Sequence, residues 1–181
     1  MTDLEQSIVS GLQDAMKQLQ ADLRKELKAQ GHYLTGRLHD SIDYEIEQTP
    51  GLVTATMECE DYGLAMEFGV PAQNIPYSPG SGAGTSRYIQ GLIRFWELRG
   101  VTGREGVRAA FATARKHKRE GMPTRASFAF STTGARTGFA STVLERDLEL
   151  IGRILEEKTG YTLEIAFVPE LDKIEAIRIF V

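Results

Sequence analysis

The chain has 181 residues, of which 41% are hydrophobic and 25% charged, and its formal net charge is -4. That length suits one domain burying roughly 70% of the surface its unfolded form exposes, and the composition excludes wholesale disorder and a broadly basic nucleic-acid binder. Cys59 is the only cysteine, so one chain forms neither an internal disulfide nor a cysteine-based zinc cage, which fits a reducing compartment. The opening Met-Thr-Asp-Leu-Glu lacks the basic start and apolar run of a signal peptide, and no stretch reaches the roughly 18 apolar residues of a membrane span. The expectation is a chain made and used in the cytosol, or packed into a particle there, with no membrane contact.

Thr2 and Glu5 fit a capping box, each side chain satisfying a free amide of a first helical turn. Leu4, Ile8, Leu12, Ala15, Met16, Leu19, Leu23 and Leu27 then recur by threes and fours, and Gly31 stops a helix about 40 Å long. Its narrow stripe serves either a neighbouring subunit or packing within the chain. Ile42, Tyr44 and Ile46 alternate with Asp43, Glu45 and Glu47; Pro50-Gly51 suits a type II turn; Val53, Ala55, Met57 and Cys59 alternate again, which predicts a hairpin.

Residues 69–87 carry Gly69, Pro71, Pro76, Pro79, Gly80, Gly82 and Gly84 and read as an exposed loop. From Ser86 a helix is expected to bury Ile89, Leu92, Ile93 and Trp96 and to stop at Gly100. Thr102 with Glu105 predicts a second capping box, opening a helix with Val107, Ala110, Phe111 and Ala114 inward and Gly121 and Pro123 at its end. Residues 122–140 read as a second long loop, with Phe128, Phe130 and Phe139 embedded in it. Thr142 with Glu145 predicts a last helix carrying Leu144, Leu148, Ile151 and Leu155, stopped by Gly160. A final hairpin over 160–181 is expected, Tyr161 to Phe167 alternating in one strand, Ile177 to Val181 in the other, and Pro169 to Lys173 forming the turn. The fold class read from this order is α+β: a small, mostly antiparallel sheet with a long N-terminal helix, several packing helices and two long loops. No linker divides the chain, so 1–181 reads as one domain.

Few residues are arranged for chemistry. The run PGSGAGTS lacks the Gly-Lys-Ser/Thr ending and preceding strand of a phosphate loop, and reads as a flexible loop. His32, His39 and His117 sit in separate elements without the spacing of helical zinc ligands, so no metal or cofactor is expected. Asp43, Glu45 and Glu47 read as the wet side of the hairpin, and Cys59 as a buried, inert thiol. On the helix from Thr102, Arg104, Arg108, Arg115 and Arg119 fall within about 60° of one another, with Lys116 and Lys118 adding charge toward the end. Cations at a helix C-terminus and arginine stems covering the core edge account for this stripe structurally; its functional account is a surface facing DNA or an acidic partner.

Two motifs carry a resemblance. Leu34-Thr35-Gly36-Arg37-Leu38-His39-Asp40-Ser41-Ile42 leads into the first hairpin, and Tyr62-Gly63-Leu64-Ala65-Met66-Glu67-Phe68-Gly69 follows it, before a Pro/Gly loop. Together they resemble the neck or tail-completion family of lambda-like long-tailed phages, the minor tail and head-tail joining proteins. There a Thr-Gly-x-Leu-x-x-Ser-Ile element precedes a hairpin and a Tyr-Ala-x-x-x-Glu-Phe-Gly-Thr element follows it. Here Gly63 stands where alanine is usual and Val70 where threonine is usual; residues 122–140 look like an insertion, and the last hairpin extends beyond the common pattern.

The resemblance covers residues 1 to 160 and implies a structural virion protein without enzymatic activity. It implies a cyclic ring of copies, a hexamer or dodecamer, meeting the tail terminator or tube protein and the head-tail connector or adaptor proteins, with DNA in the lumen as a further contact. Assembly would take place in the bacterial cytoplasm. Thr35, Gly36, Arg37, Leu38, Ser41, Tyr62, Glu67, Phe68 and Gly69 become structural or interface residues. Thr35 can cap a turn, Gly36 permits the reversal after the long helix, and Leu38 and Ile42 can anchor it. Tyr62, Leu64, Ala65 and Phe68 would dock a short helix stopped by Gly69, and Glu67 would meet a backbone amide or Arg37.

Overall fold

A computed structural model describes residues 3–50, 52–80, 86–160, 166–170 and 173–180. Outside these lie Thr2 and its capping box, Gly51 at the hairpin turn, most of the PGSGAGTS run, and residues 161–165, with which the strand read from Tyr161 begins. The chain is α+β, with a long first helix, further helices and a small antiparallel sheet.

Helix α1 (Asp3–Ala29) buries Ile8, Leu12, Ala15, Met16, Leu19, Leu23 and Leu27, so its narrow stripe serves the chain's own core. It ends in a Schellman motif: His32 N donates to Leu27 O (3.0 Å) and Gly31 N to Lys28 O (2.9 Å), with Gly31 at φ 76°. A short helix α2 (Arg37–Ser41) leads into the hairpin of β1 (Asp43–Thr49) and β2 (Leu52–Glu58). Alternation works as expected: Val53, Ala55 and Met57 are buried, while Asp43, Glu45 and Glu47 face solvent. Cys59 lies just past the end of β2 and is half-buried.

After the short helix α3 (Gly63–Phe68) come α4 (Arg87–Glu97), α5 (Gly103–Glu120), α6 (Phe139–Thr159) and the strands β3 (Ala166–Glu170) and β4 (Lys173–Phe180). The sheet order is β1-β2-β4-β3, every neighbouring pair antiparallel. The final hairpin pairs β3 with β4, and Pro169, Glu170 and Lys173, expected in its turn, belong to these strands; residues 171–172 and Val181 lie outside the described ones.

The chain packs as two compact units, one from Met1–Glu67 with Gly138–Val181, the other from Phe68–Thr137. The physical reason is that two separate cores form. In the first unit α1 and α6 run side by side, approaching closely at Gly11, where an added Cβ would meet Leu155 Cδ2 at 3.0 Å. Ile8, Leu12, Leu23, Phe139, Val143, Ile151 and Leu155 fill the space between these helices and the sheet. Lys158 Nζ to Asp14 Oδ2 (2.9 Å) and Arg146 to Asp22 (3.6 Å) border that seam.

The second unit has its own small core of Ile75, Tyr77, Ile89 and Ala114. Ser86 caps α4 by accepting the Ile89 amide at 3.2 Å, and Trp96 Nε1 donates to Thr113 Oγ1 at 3.1 Å, tying α4 to α5. At the base, Val70 and Met122 exchange two backbone hydrogen bonds of 2.7 and 2.8 Å. The loops at 69–87 and 122–140 are only partly irregular, since 72–74 and 125–130 each form a 3-10 turn.

Several local expectations are corrected. Thr102 flanks α5 but makes no side-chain cap, so the box with Glu105 does not form. Val107 is 38% exposed and Gly106 is buried in its place, because the Val101 carbonyl closes over that side of the helix: an added Cβ at Gly106 would lie 2.6 Å from Val101 O. Helix α6 starts at Phe139 rather than at Thr142. Leu148, expected on its inward seam, is exposed. The three loop phenylalanines separate, with Phe128 and Phe130 exposed and Phe139 wholly buried.

Candidate functional site

The two motifs close on one another at the end of the first hairpin. Gly36 sits at φ 79° and turns the chain into α2, while Thr35 Oγ1 accepts the Arg37 amide at 3.4 Å. Leu38 and Ile42 are buried in the core and hold the reversal in place. Helix α1 completes the anchorage: Arg24 donates to His39 O (3.0 Å) and Ile42 O (2.8 Å), and Gln20 Nε2 donates to Ile42 O (2.8 Å).

From there the first motif reaches across to the second. Arg37 forks onto Glu60 through bonds of 2.9 and 3.0 Å. Ser41 Oγ donates to Leu38 O (2.9 Å) and accepts the Glu60 amide (3.1 Å), so the first motif is fixed to the segment that leaves β2 and leads into the second. Gly63 is glycine because the Cys59 Sγ occupies the space that a methyl would need. Burial, reinforced by Glu60 and Asp61, pushes the Cys59 thiol up to about 11, so it stays protonated near neutrality.

Glu67 is the centre of the arrangement. Its side chain is buried and its Oε2 accepts the Ala140 amide at 2.8 Å; Oε1 accepts the Ser141 amide at 3.2 Å and the Ser141 hydroxyl. A carboxylate there satisfies orphan donors of the first turn of α6 and complements its dipole. Of the two expected partners, Glu67 takes the backbone amide, and Arg37 goes to Glu60. The Glu67 carbonyl also accepts the Gly138 amide at 2.8 Å. With Glu67 drawn inward, Phe68 at the end of α3 is 76% exposed, and Tyr62, just before α3, is exposed too, a correction to the expectation that both dock the helix on the sheet. Gly69, at φ 71°, does stop α3, and a Cβ there would lie 2.6 Å from Met122 O.

The arginine stripe is only partly an open surface. Arg104, Arg108 and Arg115 are exposed on one face of α5 and make no ion pair among the described residues. Arg119 instead pairs with Glu120 (3.1 Å), and Lys118 Nζ donates to the carbonyls of Gln73 (3.4 Å) and Ile75 (3.1 Å). Lys116 is half-buried. Next to it, His117 Nδ1 lies 2.7 Å from the Tyr88 hydroxyl; burial holds the imidazole below its ordinary value, against the opposing pull of Glu120.

Sequence reasoning missed Gln20, Arg24 and Glu60 as holders of the first motif. It also missed a large division of charge. Residues 68–137 contain nine arginines and two lysines against three glutamates, a formal +8, while the remaining residues carry ten basic against 22 acidic groups, a formal -12. A count by unit, once the boundary is known, is the signal that reveals it.

Among the described residues no cluster of three or more His, Cys, Asp or Glu could hold a metal ion, and no helix is long and apolar enough to cross a membrane. Compared with protein-family models, curated proteins and solved structures, the chain matches none.

Proposed function

We propose that this chain is a structural, non-enzymatic subunit of the neck of a tailed phage, which completes the tail or joins it to the head as part of a ring. The observation that carries this reading is the use made of the motif residues. Gly36, Leu38, Ser41, Glu67 and Gly69 are all spent on turning, anchoring and capping the chain, and the one buried charge among them holds a helix terminus rather than facing a cleft. A scaffold needs this kind of junction, which costs no substrate-binding surface. Phe68, Phe128 and Phe130 supply exposed apolar area of the sort that assembly covers. The partners would be further copies of the chain, the tail terminator or tube protein on one side, and the connector or adaptor proteins on the other. The location would be the virion neck, with assembly in the bacterial cytoplasm.

Mass measurement and negative-stain microscopy of the purified protein, alone and after incubation with phage tails that lack it, test this reading. The expected result is a closed ring at a multiple of 20.1 kDa that binds tail ends. A monomer that ignores tails at all concentrations would overturn it.

The basic character of residues 68–137 favours a second reading, a DNA-binding module acting through Arg104, Arg108 and Arg115. Phosphate contacts of that kind give affinity that falls steeply with salt. Fluorescence titration with duplex DNA at two ionic strengths separates the readings.

A further inference from the structure

Helices α5 and α6 carry matching rows of opposite charge. On α5 the exposed arginines are Arg104, Arg108 and Arg115; on α6 the exposed glutamates are Glu145, Glu149 and Glu156. Each glutamate stands 41 positions after its arginine, so both rows have the spacing i, i+4, i+11. At 100° per residue either row falls within about 40° of one face and spans about 17 Å. Each also has an exposed apolar residue at i+3: Val107, 38% exposed, on α5 and Leu148, 39% exposed, on α6. Among the described residues none of the six charged side chains makes an ion pair.

We infer that α5 of one copy lies parallel to α6 of a second copy, with Arg104 opposite Glu145, Arg108 opposite Glu149 and Arg115 opposite Glu156. Val107 and Leu148 close the same seam. The orientation follows from the spacing. A parallel pairing matches all three rungs, whereas an antiparallel one that matches the two ends sets Arg108 against Gly152. Within a lone copy each row holds two like charges at i, i+4, an unfavourable arrangement that the partner helix relieves.

A second copy fits the arginine row better than a nucleic acid does. The complementary carboxylates are present in the same chain at the same spacing, and the -12 carried outside residues 68–137 repels a polyanion. The contact joins two different surfaces, so it is head-to-tail, and repeated copies continue until the rotation closes a ring. Exposed ion pairs are individually weak, so the interface is salt-sensitive and gains its strength from closure. The inference rests on the ring reading above and specifies its interface.

Charge exchange tests it. One variant carries R104E/R108E/R115E and the other E145R/E149R/E156R; each is checked for a wild-type circular dichroism melt, and Gln replacements of the same residues serve if a reversal fails to fold. By sedimentation velocity at low salt, wild type should self-associate, and each variant alone should associate at least about tenfold more weakly. An equimolar mixture should assemble again, because both of its contacts then join opposite charges. The chain carrying all six substitutions should also recover. Wild-type assembly that neither variant disturbs overturns the inference and leaves the ring reading standing. A wild type and a mixture that both stay monomeric overturn both. Monomeric wild type that binds duplex DNA, with loss of binding in the arginine variant, assigns the row to nucleic acid instead.

Discussion

Glu67 Oε2 accepts the backbone amide of Ala140 at 2.8 Å, across 73 residues of chain. The carboxylate thereby replaces the Ser, Thr, Asp or Asn that ordinarily caps a helix from the position just before it, here occupied by Gly138 in the left-handed region at φ 72°. The cap of α6 is thus a tertiary contact, and the end of one motif is fastened to the start of a long helix.

Removing that carboxylate leaves buried amides unmet. We expect Glu67→Ala to lower stability by about 2–4 kcal/mol and Glu67→Gln, which keeps one acceptor, by about 1–2 kcal/mol. Urea unfolding measures both, and a Glu67→Ala protein within about 0.5 kcal/mol of wild type would refute the capping role.

Gly69 combines a left-handed backbone with a close backbone neighbour, whereas Gly100, at φ 82°, has open space around it. Gly69→Ala should therefore cost about 2–4 kcal/mol and Gly100→Ala about 1 kcal/mol. Equal losses for the two in thermal melts would show that the Met122 carbonyl imposes no limit.

The Arg37 and Ser41 contacts to Glu60 differ in kind. The Arg37 side chain is 70% exposed, so Arg37→Ala should cost less than Ser41→Ala despite its two bonds. Ser41→Ala deprives the half-buried Glu60 amide of its acceptor and should cost about 1–2 kcal/mol. A larger loss from Arg37→Ala than from Ser41→Ala would reverse this ranking.

Cys59 should react slowly with a disulfide reagent. With its thiol pushed up to about 11, only a small fraction is thiolate at pH 8, and the rate should be on the order of a hundredfold below that of free cysteine. Reaction at the free-cysteine rate would place the sulfur in solvent.

His117 makes stability depend on pH in a set direction. Its value in the folded chain lies below the ordinary histidine value, so as pH falls through about 6.5 the unfolded chain takes up the proton first and folding weakens. Urea midpoints at pH 7.5 and 5.5 should differ more for wild type than for His117→Gln; parallel shifts would remove His117 as the cause. Tyr88→Phe, which deletes the 2.7 Å bond to the imidazole, should cost about 1 kcal/mol at neutral pH.

Periodic elements were legible in the sequence because burial imposes a short repeat. The stripe of α1 and the alternation of β1 and β2 are examples, and so are the stops at Gly31 and Gly69, where backbone geometry favours glycine. What escaped depends on distant partners. Thr142 and Glu145 imitate a capping box, yet the amides ahead of them are claimed by Glu67, and no local pattern announces that. Gly106 displaces Val107 because of a carbonyl in the preceding turn, which a helical wheel does not contain. Glu67 and Phe68 adjoin in sequence, but which of them turns inward is decided by the helix terminus waiting for a carboxylate. The kinship between the arginine and glutamate rows becomes visible only once both faces are known to be exposed.

The bond of 2.8 Å from Gly138 N to Glu67 O means that the 70-residue excursion leaves and re-enters its host through a doorway one hydrogen bond wide. The gap that a short Gly-Ser bridge would have to span in place of residues 68–137 is that single bond. That bridge would also remove the formal +8 of residues 68–137 from a chain whose other residues carry -12.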